Sequence, residues 1–236
     1  MNVILLKHFD FDDPAVFTGW AKSEGHRLTI LNPTQQQLDP SLLDDTGLLI
    51  IGGSPTSAYE DDKYPWLAPE KAFVKNAIDR EIKVFGICFG AQMLAELLGG
   101  RAYPHSLKEI GWHTIQRNDE AHPALAALPD RFRSLQWHGD TFDLPPGATL
   151  LAGSEYCANQ AYAWGDHVLA VQFHLETSSP CIHTMLEVWE SDLKPDIPSI
   201  QRSADIVRES ERTVESFAML HGILNAFADM SPVQKV

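Results

Sequence analysis

Positive charge is scarce in this chain. Lys and Arg number 18 against 32 Asp and Glu, a formal net charge of −14 over 236 residues. A surface of that balance lacks the basic footprint that phosphates require, which argues against a nucleic-acid partner. Cysteine is sparse as well. Three residues, odd in number and widely spaced, give neither a disulfide framework nor a zinc pattern. They fit a reducing cytoplasmic compartment, where a thiol stays usable. No apolar run is long enough to span a bilayer, so no membrane association is expected. The chain opens on the strand-like run Val3–Leu6 without the features of a secretory leader. Flexible linkers and solenoid-spaced repeats are missing too. With 44% hydrophobic residues there is ample core for one domain over residues 1–236, with about 180–236 as a helical extension packed on it.

The first half alternates between strand and helix patterns. Val3–Leu6, Leu28–Leu31, Leu48–Ile51 and Lys83–Ile87 read as strands. Asp13 followed by Pro14 starts a helix over 14–24, stopped at Gly25. Phe73, Val74, Ala77 and Ile78 recur at helical spacing within 66–80, and Phe89–Leu98 reads as a helix stopped by Gly99 and Gly100. Such alternation predicts an α/β fold with a mostly parallel central sheet and helices on both faces. From about 101 to 170, shorter apolar stretches with many Gly, Pro and Asp predict a smaller antiparallel portion, including Ile110–Ile115 and Ala148–Ala152. Val168–His174 reads as a strand returning to the sheet. The tail reads as two helices, Pro180–Ser191 and Gln201–Ala228, separated by a break at Lys194–Pro198, with the apolar stripe of the second assigned to core packing.

Within Val84–Gln92 an apolar run ends in Gly86-Ile87-Cys88-Phe89-Gly90, and a helical pattern follows at once. This is the pattern of a nucleophile elbow, in which a strand turns sharply into a helix and holds one side chain at the crest. The flanking glycines leave room for the turn. A thiol held there is expected to be exposed, with the helix N-terminus favouring its thiolate form. Alone, the pentapeptide fits a buried structural cysteine equally well. The second signal is distant: the run Val168–Val171 leads to His174, and Glu176 follows two residues on. In an extended chain, i and i+2 point to the same side, so a carboxylate there fixes the tautomer of an imidazole that faces the thiol.

Together these segments resemble the class I glutamine amidotransferase family, which combines a Gly-x-Cys-x-Gly-x-Gln elbow with a His-x-Glu strand. Tyr64–Leu67, Lys108–Trp112, Gln136–Asp140 and Asn159–Tyr162 extend the likeness, to about Ser178, toward its stand-alone, GMP synthase-like members. The resemblance implies a flavodoxin-like three-layer sandwich. It implies a Cys88–His174–Glu176 triad that hydrolyses a γ-glutamyl amide through a thioester, releasing glutamate and ammonia without metal or cofactor. It places an oxyanion hole at the backbone N–H of Phe89 and of the Gly52-Gly53 turn. Relatives often carry Pro directly after those glycines; here Ser54 precedes Pro55, which leaves open whether Gly53 or Ser54 supplies the donor. It also implies that Gln92, Trp137, His138 and Gly139 line the glutamine site.

His138 is a rival base, but only His174 has its orienting carboxylate beside it in sequence. The other histidines lack ligand-like spacing and read mostly as surface residues, although His113 follows Gly111-Trp112 and is placed near the site as an option. Cys157 and Cys181 lack an elbow and read as structural thiols, and Glu60–Asp62 reads as a solvated loop. The family's released ammonia normally passes to a synthase, so the resemblance implies either a separate ammonia-accepting subunit or action alone. The nearest alternative is a γ-glutamyl hydrolase or peptidase with the same triad. A non-catalytic binding module on the same fold is a third reading, since fold alone does not imply activity.

Overall fold

The computed structural model describes residues 1–118, 122–126, 128–194 and 196–230. Its elements are β1 (Asn2–Leu6), α1 (Ala15–Ser23), β2 (Arg27–Leu31), β3 (Thr46–Ile51), α2 (Leu67–Asp79), β4 (Lys83–Ile87), α3 (Phe89–Leu97), β5 (Arg101–Arg117), β6 (Arg131–Asp143), β7 (Thr149–Ser154), β8 (Ala161–Trp164), β9 (Val168–Val171), α4 (Ser179–Val188), α5 (Ser203–Arg208) and α6 (Thr213–Asp229). Among the described residues the nine strands form one sheet in the order β2-β1-β3-β4-β9-β8-β7-β5-β6. The first five run parallel, and every pairing from β9 through β8, β7 and β5 to β6 is antiparallel. The fold is the α/β sandwich that the alternation predicts, of the flavodoxin-like type that the resemblance implies, with an antiparallel half.

Strand alternation builds the layers. Val3, Leu5, Leu48, Ile50 and Phe85 pack on one face with residues of α1 and α6, including Trp20, Leu220, Ile223 and Phe227. Ile4, Leu6, Leu49, Ile51 and Val84 pack on the other with Phe73 and Val74 of α2 and Leu94 of α3. A smaller core joins Ile110, Trp112 and Leu135 of the β5–β6 hairpin to Ile182 of α4, Ile200 and Ile206. The stripe of α6 is therefore core packing.

Several expectations are corrected. The strand ending at His174 is shorter than its apolar pattern: β9 stops at Val171, and His174 makes only an isolated bridge to Leu135. The stretch Gln201–Ala228 is broken into α5, a 3-10 turn at Ser210–Arg212, and α6. Strand β5 is far longer than Ile110–Ile115 because it pairs with β6 along most of its length. The first helix starts one residue later, with the Asp13 carboxylate accepting from the Ala15 N–H at 3.0 Å. Pro195, inside the expected break, lies outside the described residues. No described helix is long and apolar enough to cross a membrane.

Register brings the two distant signals together. Neighbouring strands β4 and β9 align Ile87 with Val171, and the Cys88 N–H donates to the Val171 carbonyl at 2.8 Å. The C-terminal ends of β1, β3, β4 and β9 thus share one edge, where open α/β sheets form their clefts. Close approach there depends on glycine. A Cβ on Gly90 would lie 2.4 Å from the Ile51 carbonyl oxygen, and one on Gly86 would lie 2.7 Å from the Gly90 backbone. Backbone atoms of buried strands cannot step aside, so Gly90→Ala is expected to lose more than about 3 kcal/mol of stability, measured by urea unfolding. Wild-type stability in that variant would show that α3 is free to lift off β3.

Candidate active site

The chain turns from β4 into α3 at Cys88, whose φ of 52° and ψ of −103° lie outside the regions that L residues favour. The strain buys position: the side chain stands at the crest, ahead of the N-terminus of α3. The thiol is less open than the elbow pattern suggests. Cys88 is 6% exposed, and its sulfur is reached through a cleft whose far wall puts the Trp137 carbonyl 3.9 Å away.

His174 reaches the same place from β9. Its N–H donates to the Leu135 carbonyl at 2.9 Å, and its carbonyl accepts from the Ser134 hydroxyl at 2.9 Å, so β6 fixes the backbone although the strand has ended. Glu176 Oε1 lies 2.5 Å from His174 Nδ1, and its Oε2 accepts from the Leu175 N–H at 2.9 Å. That leaves Nε2 for the Cys88 thiol, which lines the same cleft. Burial works against a charged imidazole, but the Glu176 charge and then the Cys88 sulfur outweigh it, raising His174 well above its ordinary value. Gly53 borders the pair, since a Cβ there would lie 3.2 Å from His174 Cε1 and 4.0 Å from Cys88 Cβ. The structure therefore brings Cys88, His174, Glu176 and Gly53 together, and Phe89 carries the first N–H of α3.

The cleft encloses about 480 Å³. Gln92, Trp137, His138 and Gly139 all line it. Gln92 Nε2 donates to the Asp140 carbonyl at 3.3 Å and to Gln172 Oε1 at 3.1 Å, which leaves its carbonyl oxygen as the acceptor for a ligand. His138 is fully occupied. Its Nδ1 lies 2.8 Å from the Asp140 carbonyl and its Nε2 lies 2.9 Å from Glu109 Oε2. His138 therefore has an orienting carboxylate after all, supplied across the β5–β6 hairpin, but no free nitrogen for chemistry. Glu109 also accepts from Gln160 at 2.7 Å and Ser154 at 2.6 Å; burial disfavours its charge, yet His138 holds its carboxyl below the usual range. Glu109, His138 and Cys157 present atoms within 4.8 Å of one another, as a metal cluster would. Each is already spent in hydrogen bonds, with Cys157 turned to Thr141 and Asn159. The group is a polar brace beneath the Trp137–Gly139 segment.

Residues 21–187 match the family model described as glutamine amidotransferase class-I. The chain belongs to that family. A GMP synthase [glutamine-hydrolyzing] of Thermomicrobium roseum is 40% identical over 133 residues, covering 55% of this chain but 23% of that enzyme, so most of the relative's length has no counterpart here. Gamma-glutamyl peptidase 3 of Arabidopsis thaliana is 27% identical over 180 residues, 73% of this chain and 72% of the peptidase. A glutamine amidotransferase crystal structure from Thermotoga maritima superposes with a TM-score of 0.86 at 27% identity, covering 98% of this chain and 99% of the other.

Other residues of this amidotransferase-family chain lie where the sequence did not place them, in the cleft or around it. His8, expected at the surface, is buried, as are His113 and His138. Cys181 lines the cleft with its thiol pushed up to about 12 by burial and then by the Asp12 and Glu176 charges, which keeps it protonated. Glu60 and Asp61 are paired with Lys63 and Lys71. Asp12, in the loop after β1, lines the cleft and has its carboxyl raised to about 6 by burial and then by the Glu176 charge. Because its ordinary value is 3.8, the folded state takes up a proton between about pH 4 and 6 that the unfolded chain does not. Asp12 therefore costs stability above pH 6, and the cost fades as pH falls through that window. Asp12→Asn is expected to stabilise the fold at pH 7.5 by on the order of 2 kcal/mol after allowing for partial exposure, with the gain shrinking toward pH 4. Thermal unfolding across pH checks this, and a pH-independent difference would reject it.

Proposed function

We propose that the protein hydrolyses a γ-glutamyl amide, with free glutamine as the first substrate. The observation that carries the reading is the contact of Glu176 with His174, whose other ring nitrogen is left for Cys88. Cys88 Sγ attacks the side-chain carbonyl carbon with its proton already carried on His174 Nε2, in line with the raised His174. The oxyanion forms against backbone N–H groups at the Gly53 turn and Phe89. The C–N bond then breaks as His174 returns the proton to departing ammonia, leaving a γ-glutamyl thioester. Water gives a proton to His174 and attacks the thioester, the C–S bond breaks, and glutamate leaves. Glu176 holds the ring in the tautomer that each transfer needs. Gln92 and the Trp137–Gly139 segment hold the amino-acid end of the substrate. Ammonia then passes to a separate synthase subunit or is simply released.

A second reading is favoured by one feature of the cleft. Beyond the triad its wall includes Phe9, Met185 and Trp189, with Phe9 and Trp189 ring centroids 5.7 Å apart. Ammonia needs no such apolar surface, whereas the leaving amine of a γ-glutamyl peptide does. The likeness to a γ-glutamyl peptidase supports the same possibility. Purified protein assayed for glutamate release from glutamine, γ-glutamyl dipeptides and glutathione separates the two. Hydrolysis of none of them, together with no labelling of Cys88 by a glutamine-mimetic electrophile, would reject both.

A further inference from the structure

Beneath the Gly52-Gly53 turn lies a buried acid–base pair with no part in the chemistry above. His8, two residues past β1, places Nδ1 3.0 Å from the Gly53 carbonyl and Nε2 2.9 Å from Glu70 Oε1 in the first turn of α2. Both side chains are 0% exposed. The His8 ring packs against Phe89, centroids 4.9 Å apart, and against Trp66 at 5.7 Å. Glu70 Oε2 is buried without a hydrogen-bond partner, so the pair is not a fully satisfied core network.

Proton counting fixes the direction of the contact. A carbonyl only accepts, so Nδ1 must carry hydrogen and donate to Gly53. A second proton sits between Nε2 and Glu70, on either atom, and in both arrangements the Nδ1–H is retained. The Gly53–Ser54 peptide is trans, as are all the described peptide bonds. In a trans peptide the C=O and the N–H point in opposite directions. Drawing the Gly53 carbonyl inward toward His8 therefore turns the Ser54 N–H outward. Neither the Gly53 nor the Ser54 N–H donates to an acceptor among the described residues, and both residues border the cleft.

We propose that His8 and Glu70 are positioning residues that clamp the Gly53–Ser54 peptide and so hold the glycine turn beside Cys88 and His174 in the shape that presents a backbone N–H to the oxyanion, opposite that of Phe89. The inference rests on the hydrolase reading. Glycine makes the clamp necessary, because a Gly-Gly turn has no side chain of its own to prevent the peptide from rotating.

The test uses the full chain. His8→Phe alone would leave Glu70 buried and unpaired and could unfold the protein, so the informative variant is His8→Phe combined with Glu70→Leu. Removing both polar partners keeps apolar volume and leaves no orphan charge. The double variant is expected to fold, with its KM for the best γ-glutamyl substrate within about threefold and Cys88 alkylation by iodoacetamide unchanged. Its kcat is expected to fall on the order of 100-fold, the loss of one fixed oxyanion donor. Glu70→Gln, whose amide can still donate to Nε2 and keep the Nδ1–H, is expected to retain kcat within about fivefold. A folded double variant with wild-type kcat, or a loss confined to KM, would overturn the clamp. If the wild type hydrolyses nothing, the hydrolase reading fails separately. The Gly53 carbonyl ¹³C shift then still tests the geometry: it must move in the double variant and stay in Glu70→Gln, and an unmoved shift in the double variant overturns the clamp.

Discussion

Cys88→Gly is expected to abolish turnover and stabilise the fold at once. The sulfur is the only nucleophile at the elbow, so loss of at least about a thousandfold in kcat is expected, leaving what binding and backbone donors supply. The stability gain has a separate origin. At φ 52° a Cβ is crowded, and glycine occupies that region without strain. Relief of that strain is opposed by the larger unfolded-state entropy of glycine and by the lost packing of a buried thiol, leaving a net gain on the order of 1 kcal/mol. Urea unfolding and steady-state ammonia release on the same preparation check both halves. A variant that loses activity and stability together would mean that the elbow is not strained and that the thiol is chiefly a packing group.

Glu176→Gln is the second. The amide can still sit beside His174 Nδ1, but it can present either an oxygen or an N–H, and an N–H donor there holds the ring in the wrong tautomer. A fall in kcat of about 10²- to 10⁴-fold is expected, with KM little changed. The substitution also removes the charge that raises His174 against burial. A histidine raised in the folded state contributes stability that is complete below its ordinary value of 6.5 and is lost as pH rises through the folded value. The stability cost of Glu176→Gln should therefore be largest near pH 6 and shrink in alkaline buffer. Thermal unfolding of both proteins from pH 6 to 10 tests this, and a cost that grows with pH would mean that Glu176 does not hold a proton on His174.

The elbow was legible because its chemistry is local. A strand, a sharp turn with no room beside it and a helix occupy a few consecutive residues, and Gly86, Cys88 and Gly90 write that constraint directly into the chain. The pairing of His174 with Glu176 was legible too, since both lie within three residues, even though β9 ends before them. Helix and strand positions in the first half followed from periodicity for the same reason. The tail was read less well. One apolar stripe over Gln201–Ala228 suits one helix, but packing of Ile206 against the hairpin and of Leu220 and Phe227 against the sheet requires two directions, so the chain breaks between them.

What the chain determined by itself was the set of candidate catalytic groups, the alternating fold and the family. The tertiary structure decided what surrounds those groups. It gave His138 a carboxylate from 29 residues away, set Asp12 beside Glu176, and buried His8 with Glu70 under the Gly53 carbonyl. None of these partners shares a turn, a strand or a short motif with the group it touches, so no local pattern records them. They meet because parallel strands end at one edge of a sheet and a hairpin folds across it, and the resulting burial sets their charges.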